Sequence, residues 1–116
     1  MSAPGAALVD AAQRVLAGSG RPQELLDAFL ESTVLCEAPD RPGVVPARTA
    51  DGRDVVCVHS SAAQLAAARG VVPWFSTSGL DLLGLLPPGH DLLLDPAAPH
   101  AVLLRTDLLR RAVHVS

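Results

Sequence analysis

The sequence predicts an α+β fold, with short helices packed on a mixed, largely antiparallel sheet. The chain has 116 residues, 49% of them hydrophobic and 18% charged, which is typical of one domain folded around one core. Helical and strand-like stretches alternate along it, and tight turns join the strand-like ones. This order favours antiparallel pairing over a doubly wound parallel sheet. We expect residues 1–116 to be a single domain, with residues 1–20 at its periphery.

Two helices are predicted at the N-terminal end. Apolar residues recur at helical spacing from Leu8 to Leu16, and Gly18 and Gly20 favour a left-handed helix end. Pro22 then suits the first turn of a second helix, because a proline lacks only a donor that is unpaired there anyway. The apolar face of this second helix comprises Leu25, Leu26, Phe29 and Leu30.

Three strands are predicted next. Residues 33–38 are rich in β-preferring side chains, and the turn-forming residues 39–43 follow them. Residues 44–49 and 54–59 flank an Asp-Gly dipeptide, which is a strong signal for a hairpin. Pro46 cannot donate to a ladder, so it is expected at an edge, a strand start or a bulge.

The middle of the chain predicts a helix, a strand and a second helix. Ser60 or Ser61 is expected to cap a helix that continues to Arg69 and ends at glycine. Residues 71–75 predict a short buried strand or an extended segment, interrupted by Pro73. Thr77 or Ser78 is expected to begin the next helix. Its apolar side is expected to carry Leu80, Leu83 and Leu86, and Gly84 is expected to allow close packing.

The C-terminal end predicts a strand pair and a last helix. Residues 91–95 and 101–105 are strand-like, and a proline-rich turn joins them. The helix is expected to begin at Thr106. Its apolar residues are Leu108, Leu109 and Val113.

Three stretches resemble the SseB-like family, the N-terminal domain of proteins named for enhanced serine sensitivity. They are ELLDAFLESTV at 24–34, DGRDVVCVHSSAAQL at 51–65 and LDLLGLLPPGHDLLLDP at 80–96. The resemblance implies an α+β fold and a role in protein interaction or regulation, linked by name in some members to specialised secretion. It supplies no catalytic residues. All nine basic residues are Arg and Lys is absent, which indicates a GC-rich genome and an actinobacterial type.

Charge and hydropathy exclude several kinds of partner. The net charge of −3 favours neither nucleic acid nor an anionic membrane as partner. No apolar stretch approaches the roughly 20 residues that span a bilayer, and no secretory leader is recognisable, so the cytoplasm is the expected compartment. Cys36 and Cys57 are expected to be buried thiols rather than a disulfide.

Three groups of residues are candidates for a functional site. His59, Ser60 and Ser61 fit a strand end and a helix cap better than a nucleophile and its base. His90, Asp91, Asp95 and His100 form the densest polar cluster, and both carboxylates are expected on one face of a hairpin, where a metal or a pair of acids would be conceivable. Trp74 and Phe75 fit core packing, or else the centre of an interaction surface.

The sequence therefore predicts a non-enzymatic protein-interaction or regulatory module. No catalytic, cofactor or metal residues are assigned, and Trp74 and Phe75 are the candidate interaction surface. A protein partner or self-association is expected, and a small-molecule ligand is left open. The alternative is a small ligand-binding or metal-binding regulator, or an enzyme. It would use the hairpin from His90 to His100, with Cys36 or Ser60 as accessory groups.

Overall fold

Five helices and six strands form within residues 5–115, the part of the chain that the computed structural model describes. This architecture confirms the α+β class. The helices are α1 Ala6–Leu16, α2 Pro22–Glu31, α3 Ala62–Arg69, α4 Gly79–Leu83 and α5 Thr106–Val115. The strands are β1 Thr33–Glu37, β2 Pro46–Arg48, β3 Asp54–Val58, β4 Trp74–Ser78, β5 Asp91–Leu94 and β6 Val102–Leu104.

The strands form two sheets that meet at one point. One sheet has the order β2-β3-β5-β6, in which only β3 and β5 run parallel, and the other is the antiparallel pair β1-β4. Leu35 of β1 exchanges two backbone hydrogen bonds with His59, the residue after β3, at N···O distances of 2.8 and 2.9 Å. Taken together, the strand pairs of the two sheets are mixed and largely antiparallel, as predicted.

Local signals for turns and helix ends are confirmed. Pro22 occupies the start of α2, and the hairpin between β2 and β3 places Pro46 first on an edge strand. The Ser61 hydroxyl accepts from the backbone of Gln64, and the Ser78 hydroxyl accepts from that of Asp81. These side chains satisfy amides that the first turn of a helix leaves unpaired.

The core lies between the helices and one face of the strands. Fully buried side chains come from α1, α2, α4, β5 and α5, namely Leu8, Phe29, Leu82, Leu92 and Leu109. The first helix was expected at the periphery, and this expectation is wrong, because its apolar stripe packs against α2 and buries Leu8 and Ala12 completely.

The fourth strand differs from its prediction. A buried strand was expected at residues 71–75, whereas β4 begins at Trp74 and runs to Ser78. The side chain of Val71 is fully exposed, and Trp74 is 52% exposed. The ladder starts after Pro73 because proline has no N–H to donate to it.

The short fourth helix confirms its prediction only in part. It ends at Leu83, which is buried as expected, and Leu86 packs against the core just beyond it. Leu80 differs, since it is about half exposed, while Leu82 is fully buried in its place. The glycine that allows close packing is Gly79, where a Cβ atom would overlap the carbonyl oxygen of Phe29.

Candidate functional site

An uncharged groove lies on the outer face of the β1-β4 pair and has a volume of about 670 Å³. Its floor includes Leu35, Trp74 and Ser76, and the first residues of α1 and α3 form its walls. The full lining is Gly5, Ala6, Ala7, Ser32, Thr33, Leu35, Ser60, Ser61, Ala62, Trp74 and Ser76. None of these side chains is charged, so the groove suits a neutral, partly apolar ligand surface.

The strand pleat separates the two aromatic residues that the sequence indicates. Trp74 projects outward into the groove, whereas Phe75 projects inward and packs against the core. Successive side chains of a strand point to opposite faces, so one neighbour stabilises the fold while the other remains available for contact. The expectation of core packing therefore holds for Phe75 and fails for Trp74.

A buried polar cluster joins the ends of β3 and β5 beneath the groove. Asp95 Oδ1 accepts from the Ser60 amide at 2.8 Å, and its Oδ2 accepts from the Ser60 hydroxyl at 2.6 Å. His100 Nε2 lies 2.7 Å from the same Oδ2. Asp95 is completely buried and has a positive φ of 47°, a conformation that Asp tolerates better than most residues. The carboxylate thus ties three segments together.

The order of groups in this cluster argues against serine nucleophile chemistry. A nucleophilic serine donates its hydroxyl proton to a histidine, and a carboxylate orients that histidine from its far side. Here the carboxylate lies between the serine and the histidine, and it accepts from both. Ser60 is also only 2% exposed. We therefore interpret Ser60, Asp95 and His100 as a structural tie.

The structure separates the hairpin residues that the sequence placed together. His90 Nδ1 lies 3.0 Å from the Pro88 carbonyl oxygen, and Asp91 pairs with Arg53 at 2.9 Å and accepts from the amide that begins α5. The expectation that the Asp91 and Asp95 carboxylates lie on one face is wrong, because the left-handed backbone of Asp95 turns its carboxylate into the interior. Within the described residues, no three His, Cys, Asp or Glu side chains are placed to hold a metal ion together.

A small cavity of about 130 Å³ collects the remaining reactive side chains. Cys36, Cys57 and His59 line it, beside an ion pair in which Arg69 Nε lies 2.6 Å from Glu37 Oε1. Cys36 is buried as expected and Cys57 is partly buried, and both thiols are free. Among the described residues, the His59 Nδ1 atom is buried with no hydrogen-bond partner.

Burial in this cavity disfavours the charged forms of its two thiols and of the His59 imidazole. Burial, with the neighbouring Cys57 thiol, raises the pKa of Cys36 to about 12, and burial also raises the pKa of Cys57 despite the nearby Arg69. Burial lowers the pKa of His59, against the opposing effect of Asp95. A cysteine nucleophile needs a lowered pKa, so this environment opposes thiolate chemistry.

Sequence reasoning missed much of the groove. It did not single out Gly5, Ala6 or Leu35, and it weighed Ser60 only as a cap or a nucleophile. One signal was present in β1, where the alternation of buried Val34 and Cys36 leaves Leu35 on the opposite face. No pattern in the sequence indicated that the start of α1 packs closely against Ser60. This packing depends on Gly5, where a Cβ atom would overlap the Ser60 carbonyl oxygen.

The fold and the groove define a small α+β domain with a neutral surface site. The family model described as SseB protein N-terminal domain matches residues 6–111, and the chain therefore belongs to the SseB N-terminal domain family. No curated protein and no solved structure matches the chain. None of the helices in residues 5–115 combines the length and the apolar character that crossing a bilayer would require.

Proposed function

We propose that this domain is a non-enzymatic protein-interaction module that binds its partner at the groove around Trp74, and that it acts in regulation. The observation that carries the proposal is the half-exposed indole of Trp74 at a groove without charged residues. Tryptophan is enriched among the residues that dominate binding energy at protein interfaces, where it occupies well-packed and desolvated positions.

The state of the reactive side chains supports a binding role over a catalytic one. The Ser60 hydroxyl donates to the buried Asp95 carboxylate and not to a histidine, and both thiols have raised pKa values. His90 contacts the Pro88 carbonyl, and Asp91 is paired with Arg53. The expected partner is a protein with a neutral contact surface. Because the family name is linked with specialised secretion in some members, components of such systems are the first partners to test.

The test compares two exposed apolar side chains. Leu16 is 51% exposed, close to the 52% of Trp74, but it lies at the end of α1 and does not line the groove. Tagged wild-type, Trp74→Ala and Leu16→Ala proteins are used to capture partners from the cells that make the protein, with quantitative mass spectrometry. We expect at least one protein to be recovered with the wild type and with Leu16→Ala and to be depleted with Trp74→Ala.

Two outcomes would contradict the proposal. One is that no protein is recovered reproducibly and the chain remains monomeric in sedimentation experiments. The other is equal recovery with all three proteins, which would place the interaction away from the groove. Melting curves of the three proteins check that each is folded.

A further inference from the structure

The hydrogen-bond register of β4 leaves one of its edges without a paired strand among residues 5–115. Ala38 donates to the Pro73 carbonyl at 2.8 Å, and Gly79 donates to the Ser32 carbonyl at 3.0 Å. Hydrogen-bonded pairs alternate along an antiparallel ladder. Given the register of β1 with β4, the backbone groups of Phe75 and Thr77 therefore point toward β1.

The backbone groups of Trp74 and Ser76 consequently point away from β1. Leu35, the partner of Ser76 in the register, shows the same alternation, because its N–H and C=O point away from β4 and bond to His59. Within residues 5–115, no hydrogen bond reaches the outward groups of Trp74 and Ser76. We call this side of Trp74–Ser78 the β4 edge.

The β4 edge lacks the features that usually protect an edge strand. Proteins block such edges with charged residues, proline, bulges or very short strands. The edge strand β2 has three residues and includes Pro46 and Arg48, and β6 also has three residues. By contrast, β4 has five residues and includes neither a charged residue nor a proline.

Apolar contact surface lies on both faces of this edge. The outer face carries Trp74 and the groove. The inner face carries Phe75 beside a second hollow of about 360 Å³, which is lined by Leu85, a residue 44% exposed, and also by the charged residues Asp40 and Arg41. A strand added at the β4 edge would project its side chains alternately toward these two faces.

We propose that the β4 edge binds an extended segment of a partner protein as an additional strand, with neutral side chains toward the groove. The proposal rests on the proposed function and specifies how the partner binds. The uncharged groove lining favours neutral side chains, since a charge buried there would lack a counter-ion. A five-residue strand is about 17 Å long, so pairing with a second copy through this edge alone would bury far less than the roughly 1,600 Å² of a typical stable interface.

The first experiment measures backbone protection directly. The probe is an acetylated and amidated peptide of alternating Val and Thr, and its matched control has every second amide N-methylated. Binding is followed by the fluorescence of Trp74, the only tryptophan, and by amide hydrogen exchange in NMR spectra. We expect the amides of Trp74 and Ser76 to become protected by the peptide, while those of Phe75 and Thr77 are protected with or without it.

The second experiment removes the outward donor of Ser76. Ser76→Pro deletes an N–H that makes no bond to β1, so the fold should tolerate it. We expect about fivefold weaker binding for Ser76→Pro, as for the loss of one hydrogen bond, and at least about tenfold weaker binding for the methylated peptide, which loses two. Binding should be unchanged for Leu16→Ala, because Leu16 does not line the groove. Thr77→Pro deletes a donor to β1 and should instead lower the melting temperature strongly.

Each alternative outcome overturns the proposal in a recognisable way. No binding of the Val-Thr peptide, or equal binding of the methylated peptide, excludes strand addition, while the Trp74→Ala capture experiment still decides the proposed function. Concentration-dependent protection of Trp74 and Ser76 without peptide would identify a second copy as the occupant. Protection in the monomer that disappears when residues 1–4 are deleted would identify the start of the chain itself.

Discussion

Replacing Asp95 with Asn tests whether the buried polar cluster is a structural tie. Asparagine also tolerates positive φ, so the change removes the charge and one acceptor and preserves the backbone. Oδ2 receives the Ser60 hydroxyl at 2.6 Å and His100 Nε2 at 2.7 Å. An NH₂ group there cannot accept from either, and the opposite amide orientation would leave the Ser60 amide unpaired.

The expected loss follows from the hydrogen bonds that the carboxylate makes. A bond to a charged group contributes about 1.5–3 kcal/mol, against about 1 kcal/mol for a neutral pair. Weakening two such bonds predicts that Asp95→Asn lowers the free energy of unfolding by about 1–4 kcal/mol. In a chain of this size, this corresponds to a fall in Tm of roughly 4–16 °C.

Urea denaturation and calorimetry of the wild type and the variant measure this loss. Asp40→Asn, in an exposed loop, is the matched control and should change stability by less than about 0.5 kcal/mol. Asp95→Asn combined with His100→Ala should cost less than the sum of the single changes, because both remove the same bond. A loss below about 1 kcal/mol, or strict additivity, would refute the structural tie.

Three further predictions concern packing and protonation. Gly79→Ala should destabilise the domain by about 1–3 kcal/mol in urea denaturation, because its Cβ would overlap the Phe29 carbonyl oxygen, whereas Gly84→Ala should be nearly neutral. The pKa of Cys36 is raised from 9.0 to about 12, so little of it is thiolate at pH 8. Iodoacetamide should therefore alkylate Cys36 roughly a thousandfold more slowly in the folded protein than in the urea-unfolded chain, as measured by mass spectrometry. Equal rates would contradict its burial. Burial lowers the pKa of His59 below its usual 6.5, so the folded state favours the neutral imidazole. The contribution of His59 to stability is therefore complete above about pH 6.5 and is lost as the pH falls through the pKa of the folded state. Denaturation measured between pH 5 and 8 should show this loss of stability, and the loss should be smaller in His59→Gln.

The elements that the sequence predicted well depend on local chemistry. A serine that caps a helix bonds an amide three residues away, as Ser61 and Ser78 do. An Asp-Gly turn selects hairpin pairing through its own backbone preferences, and Pro22 starts α2 for an equally local reason. These features could therefore be located from short windows of sequence.

The candidate site required contacts that no short window contains. Asp95 and Ser60 are 35 residues apart in the chain, and the sequence indicated Ser60 only as an accessory to the hairpin that contains Asp95, without predicting their direct contact. The exposure of Trp74 depends on the pairing of β4 with β1, which begins beyond Pro73 and fixes the face on which each side chain lies. The sequence allowed Trp74 in the core as well as on a surface, but Leu and Val from α1, β3 and β5 fill the core without it.

The distribution of satisfied and unsatisfied groups indicates where this molecule can still form contacts. The buried carboxylate of Asp95 accepts three hydrogen bonds, and the ion pairs of Asp91 and Glu37 engage surface charges. Among residues 5–115, the outward backbone donors and acceptors of Trp74 and Ser76 have no partner, next to an indole that the core does not require. An edge of this kind favours association, because each added bond replaces a solvent contact at a strand that is already ordered. In the proposed interaction, the free energy of binding therefore comes from the backbone of β4 and from Trp74, whereas the Asp95 carboxylate is already engaged within the fold.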